Sequence, residues 1–182
     1  MPPRRACEHQ PVSDADELVA VYDRDGAVRG SAPRSVMRAE GLWHASTAVL
    51  VRSTAGDRVY VHRRSPDKDI FAGMHDCWAG GVVAAGEDPV DAATRELGEE
   101  LGIAGVPLRP LFTLRYDAPP VRCHVHTYEA RWDGPVVHQP EEIADGGWMP
   151  LDELRDRLAN PAWPFVPDGR RCIEEWFRRR PR

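Results

Sequence analysis

Cysteine is scarce in this chain, and the four present (Cys7, Cys77, Cys123 and Cys172) never form a Cys-x-x-Cys pair. That excludes a zinc framework or a disulfide scaffold and leaves reduced thiols, as expected of a cytoplasmic protein. No apolar run approaches the roughly 18 residues of a membrane span. Arg4 and Arg5 are followed by no apolar stretch, so no signal peptide is expected either. An excess of positive charge is also lacking, with 24 Lys and Arg against 29 Asp and Glu. A formal net charge of −5 argues against nucleic acid as a general partner. An anionic substrate would have to be met by local arginines or by a metal ion. No internal repeat or low-complexity tract is present.

What is there fits a globular domain: 182 residues, 42% hydrophobic and 29% charged. Residues 1–16 are polar and proline-bearing and read as a flexible N-terminal arm, leaving residues 17–182 as a single domain with a C-terminal helix. Nothing in the sequence decides between a monomer and a homodimer.

The informative stretch runs from Gly81 to Ile103. Pro89 and Gly102 mark the start and stop of a helix. At about 3.6 residues per turn, Glu96, Glu99 and Glu100 share one face, while Val90, Ala93, Leu97 and Leu101 form a neighbouring face for a core. Three carboxylates so spaced repel one another, by a few tenths of a kcal/mol per pair. A hard divalent cation over that face, Mg²⁺ or Mn²⁺, explains them, because such ions take oxygen ligands and share them with phosphates. Glu87, on the loop before the helix, can add a fourth carboxylate, and Arg95 can hold a glutamate in register through its forked donors. An acidic helix face by itself is usually only solvated. Here, however, seven letters and two aliphatic positions are fixed together, which chance yields about once in a hundred thousand such chains.

At these residues the sequence resembles the Nudix hydrolase family, whose box it matches at every defining position. The resemblance implies an α/β (α+β) fold, an α/β/α sandwich around a central mixed β-sheet. It also implies Mg²⁺-dependent hydrolysis of a diphosphate linkage in a small molecule. Glu96, Glu99 and Glu100 would then bind metal or serve as general base, Arg95 would orient them, and the Gly81 backbone would add an oxygen ligand.

Outside the box, Leu18–Tyr22, Ala27–Arg29, Ala45–Val51, Arg58–His62, Leu111–Tyr116 and Val121–Trp132 read as strands, and Pro33–Glu40 as a helix. Arg63 and Arg64 end a strand and can grip phosphate oxygens, and Lys68 is a weaker candidate of the same kind. Trp78 reads as packing rather than as a platform for a base. His124 and His126 share a strand face, but no third histidine lies nearby to complete a metal site. Many Nudix enzymes carry a further glutamate in the loop here occupied by Glu141 and Glu142, and Glu142 is the candidate carried forward. Leu151, Leu154 and Leu158, and then Ile173, Trp176 and Phe177, stand at helical spacing and read as core. The Pro/Trp-rich link at residues 161–167 suggests that the last helix folds back on the domain.

The flanks also look like isopentenyl-diphosphate isomerase, in Gly41-Leu-Trp-His44, Arg63-Arg-Ser-Pro-Asp-Lys68 and Ala72-Gly-Met. The Cys-Gly-His triplet of that enzyme is replaced by Gly80, Gly81 and Val82, and Cys77 lies three residues too early to substitute. Its acid/base thiol and a histidine ligand are therefore absent, and hydrolysis is favoured. A non-catalytic nucleotide-sensing module on the same fold is the other alternative. Such modules usually lose box glutamates, whereas this chain keeps all four.

Overall fold

The computed structural model describes residues 17–180. The arm expected over residues 1–16, Cys7 included, lies outside the described residues. Nine strands and four helices follow in order: β1 (Leu18–Tyr22), β2 (Val28–Pro33), α1 (Arg34–Glu40), β3 (His44–Arg52), β4 (Arg58–Arg64), β5 (His75–Asp76), β6 (Trp78–Ala79), α2 (Pro89–Leu101), β7 (Arg109–Ala118), β8 (Val121–Arg131), β9 (Ile143–Pro150), α3 (Leu151–Ala159) and α4 (Pro167–Arg179).

Alternation along the central strands decides what covers each face. Val49 and Val51 of β3, Tyr60 of β4 and Tyr128 and Ala130 of β8 pack with Ala93, Leu97 and Leu101 of α2. Residues of the opposite parity, Leu50, Val59, Val61, Cys123 and Val125, pack with Leu154 of α3 and Ile173 and Trp176 of α4. Helices thus lie on both faces of one sheet. Burying side chains such as Leu97 and Leu154 fully contributes about 1.5–3 kcal/mol each.

The sheet is mixed. β3 runs parallel to β8 from His44↔Cys123 to Arg52↔Arg131, while the other ladders are antiparallel. β3 and β4 follow one another through a tight turn yet pair only at Arg52↔Val59. Beyond that point they part: β6 pairs with β3, and β4 is flanked by β5 and β9. The cavity described below draws residues from both diverging strands.

Three local expectations change. Val90 lies 38% exposed although it shares the stripe of Ala93, Leu97 and Leu101, because it falls in the first turn of α2, and Ala92 is buried on another face against Ala45 and Val83. β2 continues to Pro33, well past the short return expected at residues 27–29. β9 has no sequence counterpart among the expected strands: its core, Asp145-Gly-Gly-Trp-Met, lacks β-branched residues, and pairing with β4 imposes the extended form. Among the described residues, no helix is long and apolar enough to cross a membrane, and Cys77, Cys123 and Cys172 are free and buried.

Candidate active site

Local chemistry sets α2 in place first. The Asp88 side chain accepts from the Val90 N–H at 2.9 Å, capping the helix ahead of Pro89. Gly102 ends it in the left-handed conformation, at φ 65°. Beyond that stop, the Val137 and Gln139 N–H groups donate to the Leu101 and Glu100 carbonyls, at 3.0 and 3.2 Å. The loop leading to Glu142 is thereby tied to the carboxyl end of the helix that carries the other glutamates.

The chain ahead of α2 is fastened to β3. The Thr47 N–H donates to the Gly81 carbonyl at 2.8 Å, and the Val83 N–H to the Ala45 carbonyl at 3.0 Å. Both glycines have steric reasons. A Cβ on Gly80 would stand 2.2 Å from the Thr47 carbonyl oxygen, and one on Gly81 would stand 2.5 Å from Glu96 Oε1. Backbone and carboxylate can approach this closely only where there is no side chain.

Arg95 gathers the acidic groups. Its Nη1 donates to Glu96 at 2.9 Å and to Glu99 at 3.2 Å, while Nε and Nη2 reach the two Glu87 oxygens at 3.2 and 3.3 Å. These bonds raise the Arg95 pKa, Glu87 contributing most. Glu87 also accepts from the Ala84 N–H at 3.1 Å. Burial works to raise its pKa, but Arg95 and that amide outweigh it and leave the carboxyl below its ordinary value.

Glu100 is different. It is 5% exposed, and its side chain accepts from the Gly80 N–H at 3.2 Å. Burial first, then the charges of Glu96 and Glu142, raise its pKa well above the ordinary carboxylate range. Burial raises Glu96 as well, against the opposing effect of Arg95. Glu142 accepts from Lys68 Nζ.

A cavity of about 460 Å³ opens against this group. Glu96, Glu99, Glu100, Glu142, Gly81 and Arg95 all line it, as do Arg64 and Lys68. Two expected residues stand apart. Glu87 is not among the lining residues, and its contacts make it the anchor of Arg95 rather than a group turned to the cavity. Arg63 is also outside: it follows β-strand alternation away from Arg64 and bonds Asp145 on β9, at 2.8 and 2.6 Å. Adjacent strand residues cannot both face one ligand, so the basic pair is divided. Glu141 is exposed.

His124 and His126 are also accounted for. His124 Nε2 lies 3.0 Å from the Asp23 carbonyl, with its ring 5.1 Å from that of Trp43, and His126 Nδ1 lies 3.5 Å from Thr113 Oγ1. Trp78 packs in the core, and its Nε1 donates to the Gly169 carbonyl at 3.0 Å. Cys77, 2% exposed, has its thiol pKa pushed well up by burial and does not line the cavity. His44 does line it, but burial lowers its pKa to about 4, so it is neutral near pH 7.

Whether the glutamates suit a metal ion depends on donor chemistry and charge. As they stand, no group of three or more His, Cys, Asp or Glu side chains among the described residues is arranged to hold one. Arg95 and Lys68 draw Glu96, Glu99 and Glu142 toward themselves. The donor set is nevertheless all oxygen, and Glu96, Glu100 and Glu142 interact unfavourably across the cavity. Carboxylates that raise one another's pKa values in a cleft suit a hard divalent cation, reached by turning exposed Glu99 and half-buried Glu142 inward.

Sequence reasoning missed several lining residues: Arg38 on α1, Ser46 on β3, Asp76 on β5 and Asp168 on α4. Each is isolated in the chain, so no spacing motif could have found it.

Known proteins resemble this chain over most of its length. The NUDIX domain family matches residues 42–169. An uncharacterised Nudix hydrolase of Rhodococcus erythropolis is 50% identical over 92% of this chain and 98% of its own length. Another from Streptomyces coelicolor is 44% identical over 87% of both chains. Among solved structures, a Deinococcus radiodurans protein superposes with a TM-score of 0.75 at 24% identity, over 87% of this chain and 98% of that one. A MutT protein from Methanosarcina mazei gives 0.62 at 22% identity, over 75% and 94%. The glutamate-bearing helix, the glycine that makes room for Glu96 and the span of these matches place the chain in the Nudix hydrolase family.

Proposed function

We propose that this enzyme cleaves a diphosphate linkage in a nucleoside diphosphate derivative or similar small molecule, with Mg²⁺ or Mn²⁺ as cofactor. The observation that carries the reading is the mutually repelling set of buried Glu100 and half-buried Glu96 and Glu142, all lining one cavity. Glu96, Glu99 and Glu100 would hold the ion, with Glu142 and the Gly81 carbonyl beside them. Bound there, the ion would neutralise phosphate oxygens and make hydroxide available near neutral pH.

The side chains supply the rest. Arg95 holds Glu96 and Glu99 in register, and Glu87 holds Arg95. Burial raises the Glu96 pKa in the direction a general base needs at neutral pH. Arg64, which lines the cavity, would orient phosphate. Lys68 fixes Glu142. Free, buried thiols at Cys77, Cys123 and Cys172 support a reducing, cytoplasmic setting.

The test is phosphate release with Mg²⁺ from a panel of nucleoside diphosphate derivatives, dinucleoside polyphosphates and prenyl diphosphates. Glu99→Gln and Glu100→Gln should each cut turnover by about two to four orders of magnitude with the fold intact. Full activity in both variants sinks the assignment. No release from any substrate, with nucleotide still bound, would favour the sensing module.

A further inference from the structure

Of the cations that line the cavity, Lys68 differs from the rest in its partner. Its ammonium donates to Glu142 Oε2, and the two side chains are only 14% and 22% exposed. This is not the solvent-exposed kind of ion pair that contributes little. Of the glutamates 96, 99, 100 and 142, it engages the one that α2 does not carry. The charge of Glu142 is nevertheless felt at both Glu96 and Glu100, so the pair lies within electrostatic reach of the carboxylates that would hold a cation.

The backbones beneath the pair are fastened. The Ser65 N–H donates to the Glu142 carbonyl at 2.8 Å, which joins the loop of Lys68 to the loop of Glu142. The Arg64 N–H closes the Lys68 loop on the Met74 carbonyl at 2.9 Å, and Arg38 Nε, 3.5 Å from Asp69 Oδ2, ties that loop to α1. On the other side, His138 Nε2 lies 2.7 Å from the Tyr60 hydroxyl, between the two amides that bond the end of α2. What remains free to turn is the pair of side chains. An exchange of partners at Glu142 therefore needs new rotamers and no movement of a loop.

Arg95 and Lys68 differ in what stands behind them. Glu87 backs Arg95, so the guanidinium keeps a counter-charge when Glu96 and Glu99 turn to a cation. Among the described residues, Lys68 pairs with Glu142 alone. An ammonium and a divalent ion sharing that one carboxylate would be close neighbours, and like charges repel strongly where water is partly excluded. Glu142 can serve one of them well, and not both.

We propose that Lys68 is a competitor built into the site: in the metal-free enzyme its ammonium holds Glu142, and a divalent ion must displace it to recruit that carboxylate. Lys68 is then a positioning residue that acts through Glu142. Its presence relieves the repulsion among the glutamates when no ion is bound. The same contact weakens the affinity for the ion, because part of the binding free energy goes into breaking the Lys68–Glu142 pair. Glu96 and Glu99 carry no such handicap, since the arginine that holds them is itself held by Glu87. The proposal rests on the hydrolase reading only for the cation itself.

The experiment titrates Mn²⁺ into the metal-free full chain, without substrate, and reads the free ion by electron paramagnetic resonance. Lys68→Met should bind Mn²⁺ about fivefold tighter than wild type or better, while Lys68→Arg, which keeps the charge, should stay within about twofold. In a Glu142→Gln background the same Lys68→Met change should alter the affinity less than about twofold, because the contested carboxylate is gone. Should Lys68→Met fold poorly, Lys68→Gln removes the same charge and should show the same gain. A lysine that only supports the fold would give weaker binding when replaced. The proposal is overturned if neither neutral variant binds Mn²⁺ more tightly, if the gain persists in full without Glu142, or if no variant binds the ion. Failure of the hydrolase reading looks different: Mn²⁺ would bind with the expected gain, and yet no substrate of the panel would release phosphate.

Discussion

The Glu96 carboxylate fills the space that a side chain on Gly81 would need, with Oε1 2.5 Å from where that Cβ would stand. Two residues fifteen positions apart thus constrain each other's chemistry. Glu96 can pack against the backbone only because residue 81 has no side chain. The Gly81 carbonyl, bonded to the Thr47 N–H at 2.8 Å, fixes where that backbone lies.

Gly81→Ala is therefore expected to damage activity more than stability. The colliding group is the far end of a flexible side chain, so Glu96 can swing away without unfolding its helix. Turnover should fall about ten- to a hundredfold, as for an ångström-scale misplacement of a catalytic group. The melting temperature should move only a few degrees. Kinetics and a thermal melt on the same sample check this, and a variant with wild-type turnover would contradict it.

Arg95 meets three carboxylates, those of Glu87, Glu96 and Glu99. Arg95→Lys keeps the charge but loses the fork, so it can satisfy one glutamate at a time. Its turnover should fall about ten- to a hundredfold, and Glu87→Gln, which loosens Arg95 from behind, should fall less. If Glu87→Gln proved the more damaging, Glu87 would have a role beyond holding Arg95.

The division of the basic pair predicts unequal variants. Arg63 makes an exposed ion pair with Asp145, a type worth about 0–1 kcal/mol, so Arg63→Ala should leave KM and stability nearly unchanged. Arg64 lines the cavity, and Arg64→Ala should raise KM about tenfold or more. Steady-state kinetics of the two variants decide the matter, and a KM effect confined to Arg63→Ala would reverse the assignment.

Glu100 predicts a pH dependence whose sign can be worked out. Its pKa in the folded protein is raised above the ordinary value of 4.5, by burial first and then by Glu96 and Glu142. The folded state therefore holds the proton more tightly than the unfolded chain. The stability this gives is complete below about pH 4.5 and is lost as pH rises toward the folded-state value. In EDTA, Glu100→Gln should be more stable than wild type at pH 8, by a margin that shrinks at pH 5. Chemical denaturation at the two pH values tests this. A margin independent of pH would mean that Glu100 is ionised in the folded protein without penalty.

The sequence alone determined the part of the site that lies on one helix. Spacing within a helix is rigid, so Glu96, Glu99 and Glu100, the start at Pro89 and the stop at Gly102 could be read from their intervals. The alternating strands of the core were legible for the same reason. Tertiary structure decided everything that depends on how elements meet. It turned Arg64 inward and Arg63 outward, bent the loop of Glu142 onto the end of α2, and imposed β9 on a segment with little strand propensity of its own. It also brought Arg38, Ser46, Asp76 and Asp168 to one cavity from four separate elements. No local period encodes such a meeting: it is set by which faces of the sheet the helices cover, and packing of the whole core fixes that.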